Sequence, residues 1–307
     1  MPQTKKQVLP DFLIVGAMKS ATTTIYEQLK SLDGIFMPAL KEPNFFSDPK
    51  QFDRGMDWYQ SLFLAAKESD IIGEASTHYT KLPTYGNTVD RIALHLPDIK
   101  IIYIMRDPID RLVSQYIHEW TCKKINCSLD EAVEKHPELI QYSCYFYQIQ
   151  PYIERFGMEN VLPVFFERIK RDPENELERI SRFIGYKGEV RWTESSTKTN
   201  ISAERLRLSP LMSFIVNSKA LSKIRRNLIP ARIRGLVKSK YRMSERPKIN
   251  EKSMQKISAR INSDFKSLGE LLGVRITSEN YKSVVHNIGP GWDKKKKASR
   301  EALFDGG

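Results

Sequence analysis

The 307-residue chain predicts an α/β fold, a three-layer sandwich in which helices cover both faces of a central parallel sheet. Three observations carry this. Short apolar runs recur between Phe12 and Phe166. Each is followed by a segment with helical spacing. The runs are continuous rather than alternating, as in strands buried on both faces.

The elements follow in order. Phe12–Val15 reads as a strand that meets Gly16, and Thr22–Ser31 as the helix after it. Ile71–Gly73 is a strand leading into a longer stretch that ends at Leu96. Lys100–Met105 is a strand; Asp107 then serves as a cap and Pro108 as a first-turn residue for a helix over Ile109–Trp120. Ser128 and Glu131 have capping-box spacing and open a helix through Val133. Val161–Phe166 is the last strand, followed by a helix over Pro173–Ile184. Tyr186–Ile201 is polar and aperiodic, a loop. Leu206–Tyr241 is basic and apolar, interrupted by Pro210 and Pro230. Asn250 caps a helix through Leu272, with Met254, Ile257, Ile261, Phe265 and Leu268 at helical spacing. Residues 8–288 read as one domain, with 206–248 a basic helical elaboration or lid and 289–307 a basic tail.

With 40% hydrophobic residues, the chain can bury a sizeable core. No apolar run approaches the roughly 20 residues of a membrane span, and Met1–Gln7 carries no apolar signal region, so the expected location is cytoplasmic. Three cysteines (Cys122, Cys127, Cys144) without metal-ligand spacing read as free thiols in a reducing compartment; a Cys122–Cys127 disulfide is the alternative. No metal is expected. The net charge is +12, and its excess is local: Lys219–Lys248 holds eleven basic residues against Glu245 alone. That segment suits an anionic glycan or lipid headgroup, peripheral contact with an anionic membrane, or a solvated surface. Lys294–Lys297 belongs to the tail.

Two stretches carry chemistry. In Pro10–Thr24, a strand turns into a helix with Lys19, Ser20, Thr22, Thr23 and Thr24 at the turn. Backbone N–H groups at a helix N-terminus attract an oxyanion, and a lysine adds full charge. A Walker A loop reads G-x-x-x-x-G-K-[ST]; here the lysine comes early and no glycine directly precedes it, so the turn is a phosphate-type cradle of another kind. In Ile101–Tyr116, Arg106 stands at a strand end with a planar fork suited to phosphate, and Ser114 lies about two turns into the helix. Alternatively, Arg106 pairs with a carboxylate and Ser114 is filler.

Together these stretches resemble the 5′-phosphosulfate loop and the 3′-phosphate motif of sulfotransferases that use 3′-phosphoadenosine 5′-phosphosulfate (PAPS). Lys41-Glu-Pro-Asn-Phe-Phe46, Asp57-Trp-Tyr59, Gly73-Glu-Ala-Ser-Thr-His-Tyr79, and Phe166–Ile169 through Phe183-Ile-Gly185 are similar to landmarks of the heparan sulfate-type and bacterial carbohydrate enzymes. The resemblance runs from Pro10 to Tyr186, with a weaker echo in Arg246–Gly273. It implies the P-loop nucleotide-hydrolase-like sulfotransferase fold and PAPS as co-substrate. It also implies nucleotide contacts from Lys19, Ser20, Ala21, Thr22, Thr23, Thr24, Arg106 and Ser114, with catalysis by Lys19 and by Glu42 as base. The implied acceptor is a hydroxyl or amine of a glycan or glycolipid, and no nucleic acid is expected. Ala21 stands where the family often has glycine, and Ala75 about where the heparan sulfate enzymes carry a lysine, for which Lys81 or His78 is a substitute. His78 and His118 are secondary candidates beside the reading that each is a packed, hydrogen-bonded histidine. Glu42 has an alternative too, an ion pair with Lys41 or Arg54. From the residues alone, a P-loop small-molecule kinase and a non-enzymatic basic membrane or nucleic-acid binder are the competing readings.

Overall fold

The structure, a computed structural model, describes residues 8–194, 243 and 245–287. Five strands form one all-parallel sheet: β1 (Phe12–Gly16), β2 (Ile35–Phe36), β3 (Ile71–Ala75), β4 (Lys100–Met105) and β5 (Val161–Phe165). Their spatial order is β2-β3-β1-β4-β5. Four are the strands expected from the apolar runs. The fifth, β2, is too short to show a period. Phe166, expected to close the last strand, instead opens a helix.

The helices of the first half are α1 (Thr22–Lys30), α2 (Pro49–Phe52), α3 (Gly55–Ser61), α4 (Thr88–His95) and α5 (Pro108–Thr121). Then come α6 (Leu129–Lys135), α7 (Glu138–Gln141), α8 (Tyr145–Phe156), α9 (Phe166–Arg171), α10 (Pro173–Ile184), α11 (Glu251–Leu272) and α12 (Tyr281–Asn287). The caps read from sequence are present. Ser128 and Glu131 bond reciprocally, and the Asn250 side chain accepts from Ser253 N. The basic segment 206–248, apart from 243 and 245–248, and the tail 289–307 lie outside the described residues.

The apolar side chains of the strands face one of two cores, because successive side chains alternate across the sheet. Phe12, Ile14, Ile102 and Ile104 meet Ile25 and Leu29 of α1 and Leu177 and Ile180 of α10. Leu13, Val15, Ile101, Tyr103 and Met105 meet α4, α5, α8, α11 and α12, through residues such as Ile92, Leu112, Tyr152, Phe265 and Tyr281. Two apolar layers on one sheet give the three-layer sandwich and explain why the strands read as unbroken apolar runs.

One joint in the second layer matters for the site. Asp264 on α11 accepts from Phe146 N and Tyr147 N, at 2.9 Å each, and so caps the start of α8. Burial pushes this carboxyl up to about 6, against those two bonds. Removing it by Asp264→Ala leaves two first-turn N–H groups without their acceptor, and should lower unfolding free energy by about 1–2 kcal/mol in urea melts. An upward-shifted carboxyl contributes stability that fades as pH rises through its folded value. The loss in the variant should therefore be larger at about pH 5 than above pH 7.

Candidate active site

The chain leaves β1 toward β2 and β3 on one side, and leaves β4 toward β5 on the other. Such a reversal opens a crevice at the carboxyl ends of the two adjacent strands. The β1 loop begins at Gly16 (φ 155°), where a Cβ would stand 1.9 Å from Thr80 Oγ1. That hydroxyl donates to Val15 O at 2.7 Å, so glycine is what lets Thr80 close over the strand end. Ala17 N donates to Ile104 O at 2.7 Å, which carries the pairing with β4 into the loop. Lys19 and Ala21 both take left-handed backbone (φ 72° and 68°), turning the chain into α1. Ala21 is the N-cap and offers no side-chain acceptor to the first N–H groups of α1, the kind of helix start that suits an anion. Thr22 is buried, Thr24 half-buried and Thr23 exposed. The Ser20 hydroxyl is buried without a hydrogen-bond partner among the described residues.

Arg106 follows β4 directly. Its Nη1 donates to Lys19 O at 3.1 Å, its guanidinium lies 4.8 Å over the Phe166 ring, and its Nε is buried without a partner among the described residues. Tyr145, at the start of α8, fixes the backbone here: its hydroxyl donates to Arg106 O at 2.5 Å and accepts from Arg106 N at 3.3 Å. Asp107 N donates to Glu167 Oε1 at 2.8 Å, while the Asp107 carboxylate caps α5 by accepting from Asp110 N at 2.8 Å. Asp110 binds Lys282 (2.8 Å) and Arg246 (2.6 Å). Burial would push Asp110 up, but the Lys282 bond and the Lys282, Arg246 and Arg106 charges hold it below the usual carboxylate range. Ser114 lies half-buried further along α5.

Glu42 sits on a strap beside the end of β3, in left-handed backbone (φ 59°). Its N–H donates to Ala75 O at 3.1 Å. Its Oε2 accepts from Thr77 N (2.7 Å) and Thr77 Oγ1 (3.1 Å), and its Oε1 meets Lys41 Nζ at 2.6 Å. Of the two ion pairs open to Glu42, the structure forms the one with Lys41; Arg54 stacks on Trp58 at 3.6 Å instead. Asn44 (φ 52°) donates its N–H to Ser76 Oγ at 3.0 Å and its amide to Glu42 O at 3.0 Å.

Two secondary candidates lie in the field of Glu42. Lys81 is only 8% exposed, with its ammonium 5.8 Å from the Tyr142 ring. Burial pulls it down to about 8, against the Glu119 and Glu42 charges, with Lys124 and Arg111 adding to the fall. His78 stacks on Tyr85 (ring centroids 5.0 Å apart). Burial first, then the Lys81 charge, pull it down to about 4, with Glu42 opposing. A histidine that binds its proton so weakly is a poor general base near neutral pH. The third candidate, His118, turns toward Cys122 one turn along α5, 3.9 Å from its sulfur. Among the described residues, no His/Cys/Asp/Glu group could hold a metal.

The structure thus brings Lys19 to Arg106 and anchors Glu42 at the next strand end. Sequence reading assigned no role to Thr77 or Glu167, which it met only inside family landmarks, and passed over Thr80 and Tyr145; all four hold these groups from distant segments. It gave no role to Glu74 either, whose carboxylate accepts from the Tyr59 and Tyr79 hydroxyls.

A family profile described as a sulfotransferase domain matches residues 9–269. Heparan sulfate glucosamine 3-O-sulfotransferase 3A1 of Mus musculus is 27% identical over 191 residues, 58% of this chain and 46% of the relative. Heparan sulfate glucosamine 3-O-sulfotransferase 6 of Homo sapiens is 28% identical over 189 residues, 58% and 53% respectively. The chain spans about half the length of the curated relatives it matches. A solved sulfotransferase from Alicyclobacillus acidocaldarius, 26% identical, superposes with a TM-score of 0.55 over 75% of this chain and 96% of its own.

The charge states next to Glu42 can be checked directly. The His78 imidazole signal, assigned in NMR spectra by its loss in His78→Gln, should stay in the neutral form from pH 8 down to about 5. The Lys81 ammonium should titrate near 8 rather than above 10.

Proposed function

We propose that this chain, which belongs to the sulfotransferase family, moves the sulfuryl group of PAPS to a hydroxyl or amine of an acceptor, releasing adenosine 3′,5′-bisphosphate (PAP). The observation that carries this is the bond from Arg106 to the Lys19 carbonyl. It couples two anion-binding loops at neighbouring strand ends, as a donor with phosphates at both its 5′ and 3′ positions requires. The residues fit such a donor. The Ser20 hydroxyl and the Arg106 Nε are buried without partners among the described residues, and the N-terminus of α1 has no side-chain cap.

PAPS supplies the group transferred and the leaving nucleotide. Lys19 places positive charge at the 5′ end, where negative charge builds on the bridging oxygen as that bond breaks. Residues 20–24 hold the 5′-phosphate through backbone N–H groups and hydroxyls. Arg106 and Ser114 hold the 3′-phosphate. Glu42 takes the acceptor's proton as the new S–O or S–N bond forms. Its two oxygens, held by Thr77 and Lys41, are oriented before the acceptor arrives, which limits reorganisation in the transfer step. Lys81 adds a second positive charge on the Glu42 side of the crevice. A carbohydrate or glycolipid acceptor is supported by the similarity to enzymes named for heparan sulfate glucosamine.

The test is incubation with radiolabelled PAPS and a panel of glycans, glycolipids and phenols, followed by separation of labelled product. Label in a glycan or glycolipid is the expected result; absence of PAP binding in calorimetry would end the proposal. Arg106→Ala should weaken PAP binding about tenfold to a hundredfold, the worth of a charge-assisted bond. Lys19→Ala should cut turnover by roughly 10²–10³. Glu42→Gln should keep the PAP affinity while turnover falls by roughly 10²–10⁴; unchanged turnover would remove Glu42 as the base.

A further inference from the structure

Glu74 on β3 is fully buried, in register with Leu13 of β1. Its Oε2 accepts from the Tyr59 hydroxyl of α3 (3.0 Å) and from the Tyr79 hydroxyl (2.8 Å), in the short turn after β3. Its Oε1 is buried and has no partner among the described residues. Among the described residues, the groups that act most strongly on it are the Ser76, Tyr79 and Tyr59 hydroxyls and the Glu42 charge, with Tyr152 of α8 in its field, and none of these is a cation. An ionised carboxylate here would leave one oxygen bare in a low-dielectric core and would repel Glu42. A neutral acid puts its proton on the bare Oε1 and keeps both tyrosine bonds to Oε2. The ionisation balance agrees: burial pushes Glu74 up to about 7, with the Ser76, Tyr79 and Tyr59 hydroxyls pulling against it and the Glu42 charge adding to the rise.

The strap that carries Glu42 hangs from the residues just after Glu74. Ser76 Oγ accepts from Asn44 N at 3.0 Å, Thr77 N and Oγ1 donate to the Glu42 carboxylate, and the Tyr79 hydroxyl accepts from Phe46 N at 3.5 Å. Tyr79 is pinned in turn by Tyr152, whose hydroxyl donates to Tyr79 O at 2.6 Å. Two left-handed residues, Glu42 and Asn44, make the strap dependent on these anchors.

We propose that Glu74 is a positioning residue that works as a neutral acid: it fixes Tyr79, whose hydroxyl holds the Glu42 strap at Phe46 N, and loss of its proton loosens that hold by leaving beside Glu42 a buried charge that only an opened strap can hydrate. That Glu42 is the base rests on the proposed reaction; the hold on the strap does not.

The test compares wild type, Glu74→Gln and Glu74→Ala by three readouts. Infrared difference spectra of the wild type should show a protonated-carboxyl band that disappears near pH 7 and is missing in Glu74→Gln. Hydrogen exchange of the peptide spanning 42–47, corrected for the intrinsic pH effect, should rise about tenfold in wild type as pH passes 7. It should stay slow in Glu74→Gln, which keeps a neutral acceptor, and be fast at every pH in Glu74→Ala. In the sulfuryl-transfer assay, wild-type kcat should fall above about pH 7 while that of Glu74→Gln does not, with equal KM for PAPS. A wild type with no such band, or a Glu74→Gln strap that loosens with pH as the wild type does, would overturn the proposal. If no acceptor is labelled, the reaction proposal fails, and the band and the exchange still decide the role of Glu74.

Discussion

The bond from the Arg106 guanidinium to the Lys19 carbonyl joins positions 87 residues apart in the chain. It can form only because β1 and β4 are neighbours in a sheet whose connections leave in opposite directions at that point. The loop after β1 has little to stiffen it from within, since its turns run through left-handed residues and its helix lacks a side-chain cap. Arg106 supplies the missing tie, and Arg106 is itself held by Tyr145 from α8, which Asp264 of α11 caps. A chain of contacts from the far helical layer therefore sets the position of one lysine.

The fold was legible because every major strand is buried on both faces, so its pattern does not depend on knowing its neighbours. The turns after β1 and β4 likewise form where their local residues place them. What was illegible depends on partners far along the chain. Nothing near Tyr145 or Glu167 in sequence says that each meets the backbone at Arg106 and Asp107. Glu74 shows a different limit. The apolar run reads as ending at Gly73, because a glutamate is expected at a surface; the strand in fact continues to Ala75, and the carboxyl is tolerated because two tyrosine hydroxyls come to it. Glu42 was legible only in part: the ion pair with its sequence neighbour Lys41 was among the readings, while the hold of Thr77, 35 residues on, was not.

The departures from the family pattern acquire physical meaning once the backbone is seen. Ala21 stands in left-handed backbone, the conformation for which glycine is the unstrained residue. Ala75 is 1% exposed and packs in the core beneath α1, so a charged side chain at this position would have to leave that core to reach solvent. Lys81 does not replace it in place. It stands at the far end of the turn after β3, its ammonium 5.8 Å from the Tyr142 ring and within the field of the Glu119 and Glu42 charges.

Backbone strain marks the same region. Of the five non-glycine residues with positive φ among the described residues, Lys19, Ala21, Glu42 and Asn44 belong to the two segments that meet at the carboxyl ends of β1 and β3; Lys123 is the exception. Each of them other than Asn44, a residue type that enters this region readily, costs on the order of 1–2 kcal/mol. A loop free to relax would shed that cost, so something must hold each of them. For the strap, the holders are Ala75 O, Ser76 Oγ and Thr77; for the loop after β1, they are Ile104 O and Arg106. All of these holders lie at or just after the carboxyl ends of β3 and β4, the two strands that flank β1. The two-sided burial of the sheet therefore does more than stabilise the fold: it provides the rigid edge against which a lysine and a glutamate are kept in conformations they would not adopt alone.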